Sequence, residues 1–219
     1  MKRLPVSTAE FLKCVYQMHY NDGVKVTSAA LSKQLGVSNI KVNMLIRRMI
    51  RLSYVSHEPY QEVKLTDDGK CLAMSQMRVF GLLATYLHQA MNFDVAGAFA
   101  EAQKLEFSAS EAFVDRIDEL LGYPQIDPSG APIPNVKGET TPIEGALRLS
   151  QLKVGYQARI IRLNHSSSVD VLFYDKHAIE LGLEVTMIAA LPADNGFEVL
   201  INNEQFFIGS DKASRIFVK

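Results

Sequence analysis

Residues 38–51, SNIKVNMLIRRMIR, hold the densest set of groups able to act on a partner in this 219-residue chain. At about 100° per residue, Val42, Leu45, Ile46, Met49 and Leu52 fall on one stripe, the kind a helix buries. Ile40, Asn43, Met44, Arg47 and Arg51 fall opposite, with Lys41 and Arg48 on the shoulder. Arg and Lys neutralise phosphates, Asn can hold a base edge, and apolar side chains cover thymine methyls. The spacing therefore fits a helix that reads DNA. Arg47, Arg51 and Lys41 are expected on phosphates, Asn43 on a base edge, and Ile40 and Met44 on methyl groups. For Ile40 a second reading stays open, packing against a neighbouring element.

Such a helix needs a partner to hold it. Thr27 or Ser28 can cap a short helix whose Ala30, Leu31 and Leu35 face inward, and Gly36 can turn the chain in a left-handed conformation. Ser38 or Asn39 then caps the basic helix, which runs to about Leu52. Residues 54–56 and 63–65 read as two short strands around a turn near Pro59. Short helix, Gly turn, basic helix and hairpin is the order of a winged helix-turn-helix. Thr27, Ser28, Ser38 and Asn39 at the helix starts, Arg48 on the shoulder, and Tyr60 and Lys64 on the wing join the candidate DNA contacts. His57 reads as an ordinary exposed histidine. Upstream, residues 7–20 predict a first helix, capped by Ser7 or Thr8 and ended by Asn21-Asp22-Gly23. Phe11, Leu12, Val15, Tyr16 and Met18 form its apolar band.

The net charge of −1 hides a division: residues 1–75 hold eleven Lys/Arg against six Asp/Glu, and residues 76–219 hold twelve against eighteen. A basic head on an acidic body steers a polyanion to one end. A hydrophobic content of 47% with 21% charged residues is that of a soluble globular protein. No run approaches the ~18 apolar residues of a membrane span, and the N-terminus lacks the apolar stretch of a secretory signal. A cytoplasmic protein is expected, with Cys14 and Cys71 as buried thiols instead of a disulfide. Catalysis is not expected. The chain has no nucleophile–base spacing, no Gly-rich phosphate loop and no His/Cys cluster. Glu101, Glu106 and Glu111 recur every five residues, which spreads them around helices.

Thr66 can cap a long helix that ends near Met91, followed by helices over residues 94–107 and 110–121, the latter with a Ser108/Glu111 capping box. Their surplus of Met, Leu, Phe and Tyr predicts a face that pairs with a second copy, hence a homodimer. Residues 126–142, IDPSGAPIPNVKGETTP, hold four of the eight prolines and read as an extended linker. Strands are predicted over residues 156–163, 184–191, 197–201, 205–208 and 214–218. A hairpin turn is expected at Asn195-Gly196 and a helical turn over residues 175–181. Five short strands in this space suggest a small SH3-like barrel. The fold class is mainly α with a small β domain. The expected parts are a winged helix-turn-helix over residues 1–70, a helical dimerisation domain over 71–125, a linker over 126–145 and an SH3-like domain over 146–219.

Taken in order, these parts resemble the diphtheria toxin repressor family of iron- and manganese-responsive regulators. The segments carrying the likeness are STAEFLKCVYQM, LTDDGKCLA, FAEAQKLEFSAS and DPSGAPIP, and the C-terminal LKVGYQARI, IELGLEV and ASRIFV look like the family's FeoA-type domain. The resemblance implies a homodimer on a palindromic operator, with Fe²⁺ or Mn²⁺ bridging the first helix to the dimerisation helices.

Carried over residue by residue, that metal site is degraded. The first-helix ligand falls on Glu10, and a second carboxylate of the manganese type falls on Lys13. The ligand histidines fall on Phe80, Phe99 and Phe107, and two further donors on Ala84 and Gln103. Glu106 is retained. Glu10, Gln103 and Glu106 are the remnants, too few for the five or six N/O donors such ions want, so no tightly bound cofactor is expected. Instead, Phe80, Phe99 and Phe107 are expected to pack as an apolar plug beside an ion pair of Lys13 with Glu106 or Glu10. An alternative reading makes the three phenylalanines a pocket for a small apolar effector, and another keeps a weak Mn²⁺ or Fe²⁺ response through Glu10 and Glu106. An oxygen pair at an ancillary site aligns loosely with Ser167 and Asp170. His88, His165 and His177 read as ordinary surface histidines.

Overall fold

The computed structural model describes all but residues 1–5, 22, 59–60 and 165–167. The expectations placed on Asp22, Pro59, Tyr60, His165 and Ser167 therefore lie outside the described residues.

The first helix, α1 (Val6–Tyr16), starts before both of its expected caps, and Thr8 is wholly buried inside it. It continues as a π-helical turn, Gln17–Asn21, where an unbroken α-helix was predicted, and the rings of Tyr16 and Tyr20 stack there at 4.7 Å. Helices α2 (Ser28–Leu35) and α3 (Asn39–Arg51) follow, joined at Gly36, whose φ of 63° is the left-handed value that glycine meets without strain. Strands β1 (Val55–Ser56) and β2 (Lys64–Leu65) make the wing. Phe11, Leu12 and Val15 of α1 pack with Leu31, Val42, Ile46 and Met49, and the same core takes in Ala73 and Met74 of the next helix. Each fully buried large apolar side chain contributes about 1.5–3 kcal/mol. Leu52, predicted to lie in this stripe, is instead the exposed residue after α3, where the chain leaves helical geometry.

That next helix, α4 (Asp67–Met91), is capped by Thr66, whose hydroxyl accepts from Gly69 N–H. Helix α5 (Val95–Leu105) begins at Asp94, and α6 (Glu111–Leu120) at Ser110. Helix α6 is capped by Ser110 and not by the predicted Ser108. Ser110 accepts from Phe113 N–H, while the Ser108 hydroxyl donates to the Leu105 carbonyl. Leu82, Leu83, Leu87, Phe99, Val114 and Ile117 form the core of these three helices. Among the described residues no helix is long and apolar enough to cross a membrane. Cys14 is buried, but Cys71, expected to be so, is exposed on α4.

The C-terminal part is one antiparallel sheet in the order β3-β8-β4-β5-β6-β7. Its strands are β3 (Leu147–Arg148), β4 (Gln157–Leu163), β5 (Glu184–Leu191), β6 (Gly196–Ile201), β7 (Glu204–Gly209) and β8 (Ile216–Val218). Two short helices accompany it, α7 (Ser168–Lys176) and α8 (Ser210–Ala213). Strand β3 was not predicted, and α7 ends where the helical turn over residues 175–181 was expected to begin. The connection from β5 to β6 also differs from the expectation. Leu191 pairs with Gly196, so Gly196 belongs to the strand and Pro192–Asp194 make the turn, with Asn195 left-handed at φ 51°. A side chain at Gly196 would collide with the Phe207 ring, which explains the glycine. The tight two-residue turn is Asn202-Asn203, both at positive φ, between Ile201 and Glu204.

Residues 126–142 are not a free spacer. Asp127 Oδ1 accepts from Ser129 N–H at 2.8 Å, Ser129 Oγ at 2.6 Å and Ala131 N–H at 3.0 Å, all in a buried turn. Ser129 C=O accepts from Leu163 N–H of β4, and Ile133 enters the helical core against Gly81. Gly130, at φ 79°, passes so close to the Ile161 carbonyl that no side chain could be placed there. Asp127→Ala is expected to cost about 2–4 kcal/mol by losing three hydrogen bonds, whereas Asp127→Asn keeps the acceptor and should lose well under half of that. Denaturant titration of both variants checks this.

Candidate nucleic-acid interface and its brace

Two caps fix the helix that carries the candidate reading residues. Thr27 Oγ1 accepts from Ala30 N–H to start α2, and Ser38 Oγ accepts from Lys41 N–H to start α3. Both hydroxyls are thus occupied at the helix starts, and Asn39 is the first residue of α3 instead of its cap. With Val42, Ile46 and Met49 buried, the opposite face is turned to solvent.

Ile40 is 75% and Met44 66% exposed, which removes the reading of Ile40 as a packed residue. Asn43 lies between them, exposed, its Oδ1 accepting from Ser28 Oγ at 3.0 Å. That bond orients the amide and joins α2 to the reading face. Lys41, Arg47 and Arg51 are exposed and Arg48 half-buried, and among the described residues none of the four has a carboxylate partner. On the wing, Lys64 is held 3.6 Å from Glu62, which also lies 3.8 Å from His19 on the π-helical turn. Lys64 is therefore a weaker contact candidate than its position suggested. His57 is half-buried, not exposed.

A second constellation lies where α1 meets α4 and the end of α5. Lys13 Nζ donates to Glu106 Oε1 at 3.1 Å and Oε2 at 2.9 Å, and stands 3.7 Å from the centroid of the Phe80 ring. Gln76 Nε2 donates to the same carboxylate at 3.0 Å and to the Glu106 carbonyl at 3.3 Å. Phe80 and Phe99 meet at 5.2 Å. Lys13 and Glu106 are both buried. Burial pulls the Lys13 ammonium below its ordinary range, and the adjoining Glu106 carboxylate opposes that shift.

This geometry selects among the sequence expectations. The ion pair forms with Glu106 and not with Glu10, which is exposed. Phe80 and Phe99 pack together, but Phe107 does not join them. It lines a separate groove of about 520 Å³ with Cys71, Leu72 and Val114. The three-phenylalanine plug is therefore a pair of rings, and the cavity lined by Phe80 and Phe99 is a different one from the groove lined by Phe107. Gln103 is exposed at the edge of a cavity of about 100 Å³ behind Phe80 and Phe99. Gln76 was missed because nothing local marks it; its partner is thirty residues away.

The residues present do not fit the family's ion. The oxygens of Glu106 already hold an ammonium, and the two phenyl rings beside it offer no lone pair. Among the described residues no group of three His, Cys, Asp or Glu could hold a metal. Asp170, the other aligned oxygen donor, is buried between Lys212 at 3.0 Å and Arg215 at 2.7 Å and is not available as a ligand. His88 Nδ1 meets the Phe93 carbonyl at 2.8 Å, and His177 stacks on Phe206 at 4.2 Å, so these two are not together.

Residues 66–135 match the family model of the metal binding and dimerisation domain of iron dependent repressors, and residues 147–219 match the FeoA domain. The chain is 26% identical over 197 residues to the diphtheria toxin repressor of Corynebacterium glutamicum, covering 86% of each. It is 27% identical over 167 residues to the iron-dependent repressor IdeR of Mycobacterium tuberculosis, covering 74% of this chain and 72% of that one. Among solved structures, a manganese-dependent transcriptional repressor in complex with manganese superposes with a TM-score of 0.85 at 27% identity, covering 96% of this chain and 98% of that one. The manganese regulator SloR shares the fold at a TM-score of 0.85 and 22% identity, covering 97% of each.

The exposed face of α3 should be neutral for stability. Ile40→Ser and Met44→Ser are expected to change unfolding free energy by no more than about 0.5 kcal/mol, whereas Ile46→Ala on the buried face should cost about 2–5 kcal/mol. Urea denaturation separates the two classes.

Proposed function

Because this chain belongs to the diphtheria toxin repressor family of iron- and manganese-responsive regulators, we propose that it is a sequence-specific DNA-binding transcription regulator, acting as a homodimer on a palindromic operator. The observation that carries this reading is the solvent-facing side of α3, where Ile40, Asn43 and Met44 are flanked by Lys41, Arg47 and Arg51. Two large apolar side chains on a basic face, supported from beneath by a complete core, are arranged for a partner. Major-groove base edges supply both the methyl groups and the hydrogen-bonding atoms. The cations serve register and affinity, since phosphate contacts position a protein without specifying sequence. Thr27, Ser28, Ser38 and Asn39 sit at helix N-termini whose backbone dipoles favour a nearby phosphate.

Dimerisation follows from apolar surface left open on the helical part. Phe113 is 50% and Leu120 68% exposed on one side of α6, and Tyr123 beyond it is 61% exposed. A second copy related by a two-fold axis would cover this patch and set two α3 helices against one face of the duplex. Half-sites are then expected about one helical turn, ~34 Å, or a multiple apart. Neither alternative control reading gains support. The cavity beside Phe80 and Phe99 is small and rimmed by Asp127, Ser129 and Arg162, and Glu10 is exposed while Glu106 is buried with its oxygens on Lys13.

Gel-shift titration on the protein's own promoter region tests the reading. Arg47→Ala and Arg51→Ala should each weaken binding to all sequences and reduce the slope of log K against log salt by about 0.9. Asn43→Ala and Ile40→Ala should cost about 1–3 kcal/mol on the operator and little on unrelated DNA. Salt-independent binding, or none at all, would reject the proposal. Leu120→Asp should convert the dimer to a monomer in sedimentation.

A further inference from the structure

We propose that the Lys13 ammonium is a built-in cation that does the work of the family's metal, holding the DNA-binding head against the dimerisation helices in its operator-binding position at all times. The inference rests on the DNA-binding reading above and adds how that activity is controlled.

The position is made for a cation. Both oxygens of Glu106 face it, the π face of Phe80 lies 3.7 Å away, and Gln76 donates to the same carboxylate. Glu106 is also the residue that closes α5, so its place is fixed by the end of that helix. Carboxylate and aromatic face are two independent sources of negative potential, and neither needs a ligand field. An alkylammonium suits such a site and a divalent transition ion does not, because two phenyl rings and an amide cannot supply its remaining donors.

The cation is delivered by α1, the helix that carries the head. Lys13 follows Phe11 and Leu12, which lie in the head core, while Glu106, Gln76 and Phe80 belong to the helical part. The ion pair therefore spans the crossing that a bridging metal would span. Asp170, which corresponds loosely to one oxygen donor of the family's ancillary site, is likewise held by Lys212 and Arg215. At Glu106 and at Asp170 alike, the carboxylate is occupied by side-chain cations.

The test uses the full-length protein and fluorescence anisotropy on a labelled operator. After EDTA treatment, wild-type affinity is expected to stay within twofold, and added Mn²⁺, Fe²⁺ or Zn²⁺ should likewise change it by less than twofold. A tenfold or greater gain on adding Mn²⁺ or Fe²⁺ to the EDTA-treated wild type would overturn the inference, and this arm needs no variant to fold. Lys13→Ala should lose at least tenfold in operator affinity. Propylammonium, the fragment removed, should restore most of that loss, while tetramethylammonium at equal ionic strength should not. Lys13→Met, which refills the volume without the charge, should bind as poorly as Lys13→Ala. Wild-type affinity in Lys13→Met would show that the cation is not needed and would reject the proposal. If wild type shows no salt-dependent binding to any DNA, the DNA-binding reading fails instead.

Discussion

An ammonium and a carboxylate buried together at a helix crossing set the terms for the rest of this molecule. Neither charge is tolerable alone in that position, since desolvating an unpaired ion costs several kcal/mol. The elements carrying Lys13 and Glu106 are therefore obliged to meet. Apolar packing of α1 on α4 could be satisfied by a range of small slides, because dispersion and burial are not directional. A two-oxygen contact with Lys13, closed on one side by the Phe80 ring and steadied by Gln76, is directional. Breaking such a pair is costly even where replacing both partners by hydrocarbon would not be. Its contribution is to geometry more than to stability.

That geometry reaches the exposed face of α3 through a short chain of parts. Helix α1 shares its core with α2 and α3, and the hydroxyl of Ser28 on α2 holds the amide of Asn43 on α3. The exposed face of α3 is thus referred to α1, and α1 to α4 and α5. The apolar residues at Ile40 and Met44 are exposed because the core beneath α3 is already filled by Val42, Ile46 and Met49. Their exposure is a property of a complete fold, and it leaves them free for a partner.

Much of this was readable from local pattern. The stripe of α3, the glycine turn and the caps at Thr27, Ser38 and Thr66 depend on neighbours a few residues away, and the sequence contains those neighbours. The misreadings have long-range causes. Phe107 follows Glu106 directly at the end of α5, and one residue turns a side chain by about 100°, enough to place it in a different groove. Gly196 looks like a turn glycine until the Phe207 ring, which covers it from the next strand, is known. Gln76 meets its partner only through the α4–α5 crossing. The choice of Glu106 over Glu10 as the partner of Lys13 likewise depends on which side of α1 is covered. Resemblance to a family supplied the positions to inspect, and the residue types at those positions argued against the family's metal.

The proline-rich turn after α6 has a mechanical meaning. Ile133 is set in the core of the helical part, while three residues earlier Gly130 lies against the Ile161 carbonyl and Ser129 is bonded to Leu163 at the end of β4. Four or five residues of chain thus clamp two bodies at once, with no slack between the attachment points. A segment of this kind transmits displacement as a strut does, where a loose tether would absorb it. Any load that shifts the β-sheet, such as a molecule docking on it, would be passed to α4 beside Gly81, one residue from the Phe80 ring that backs the buried ammonium.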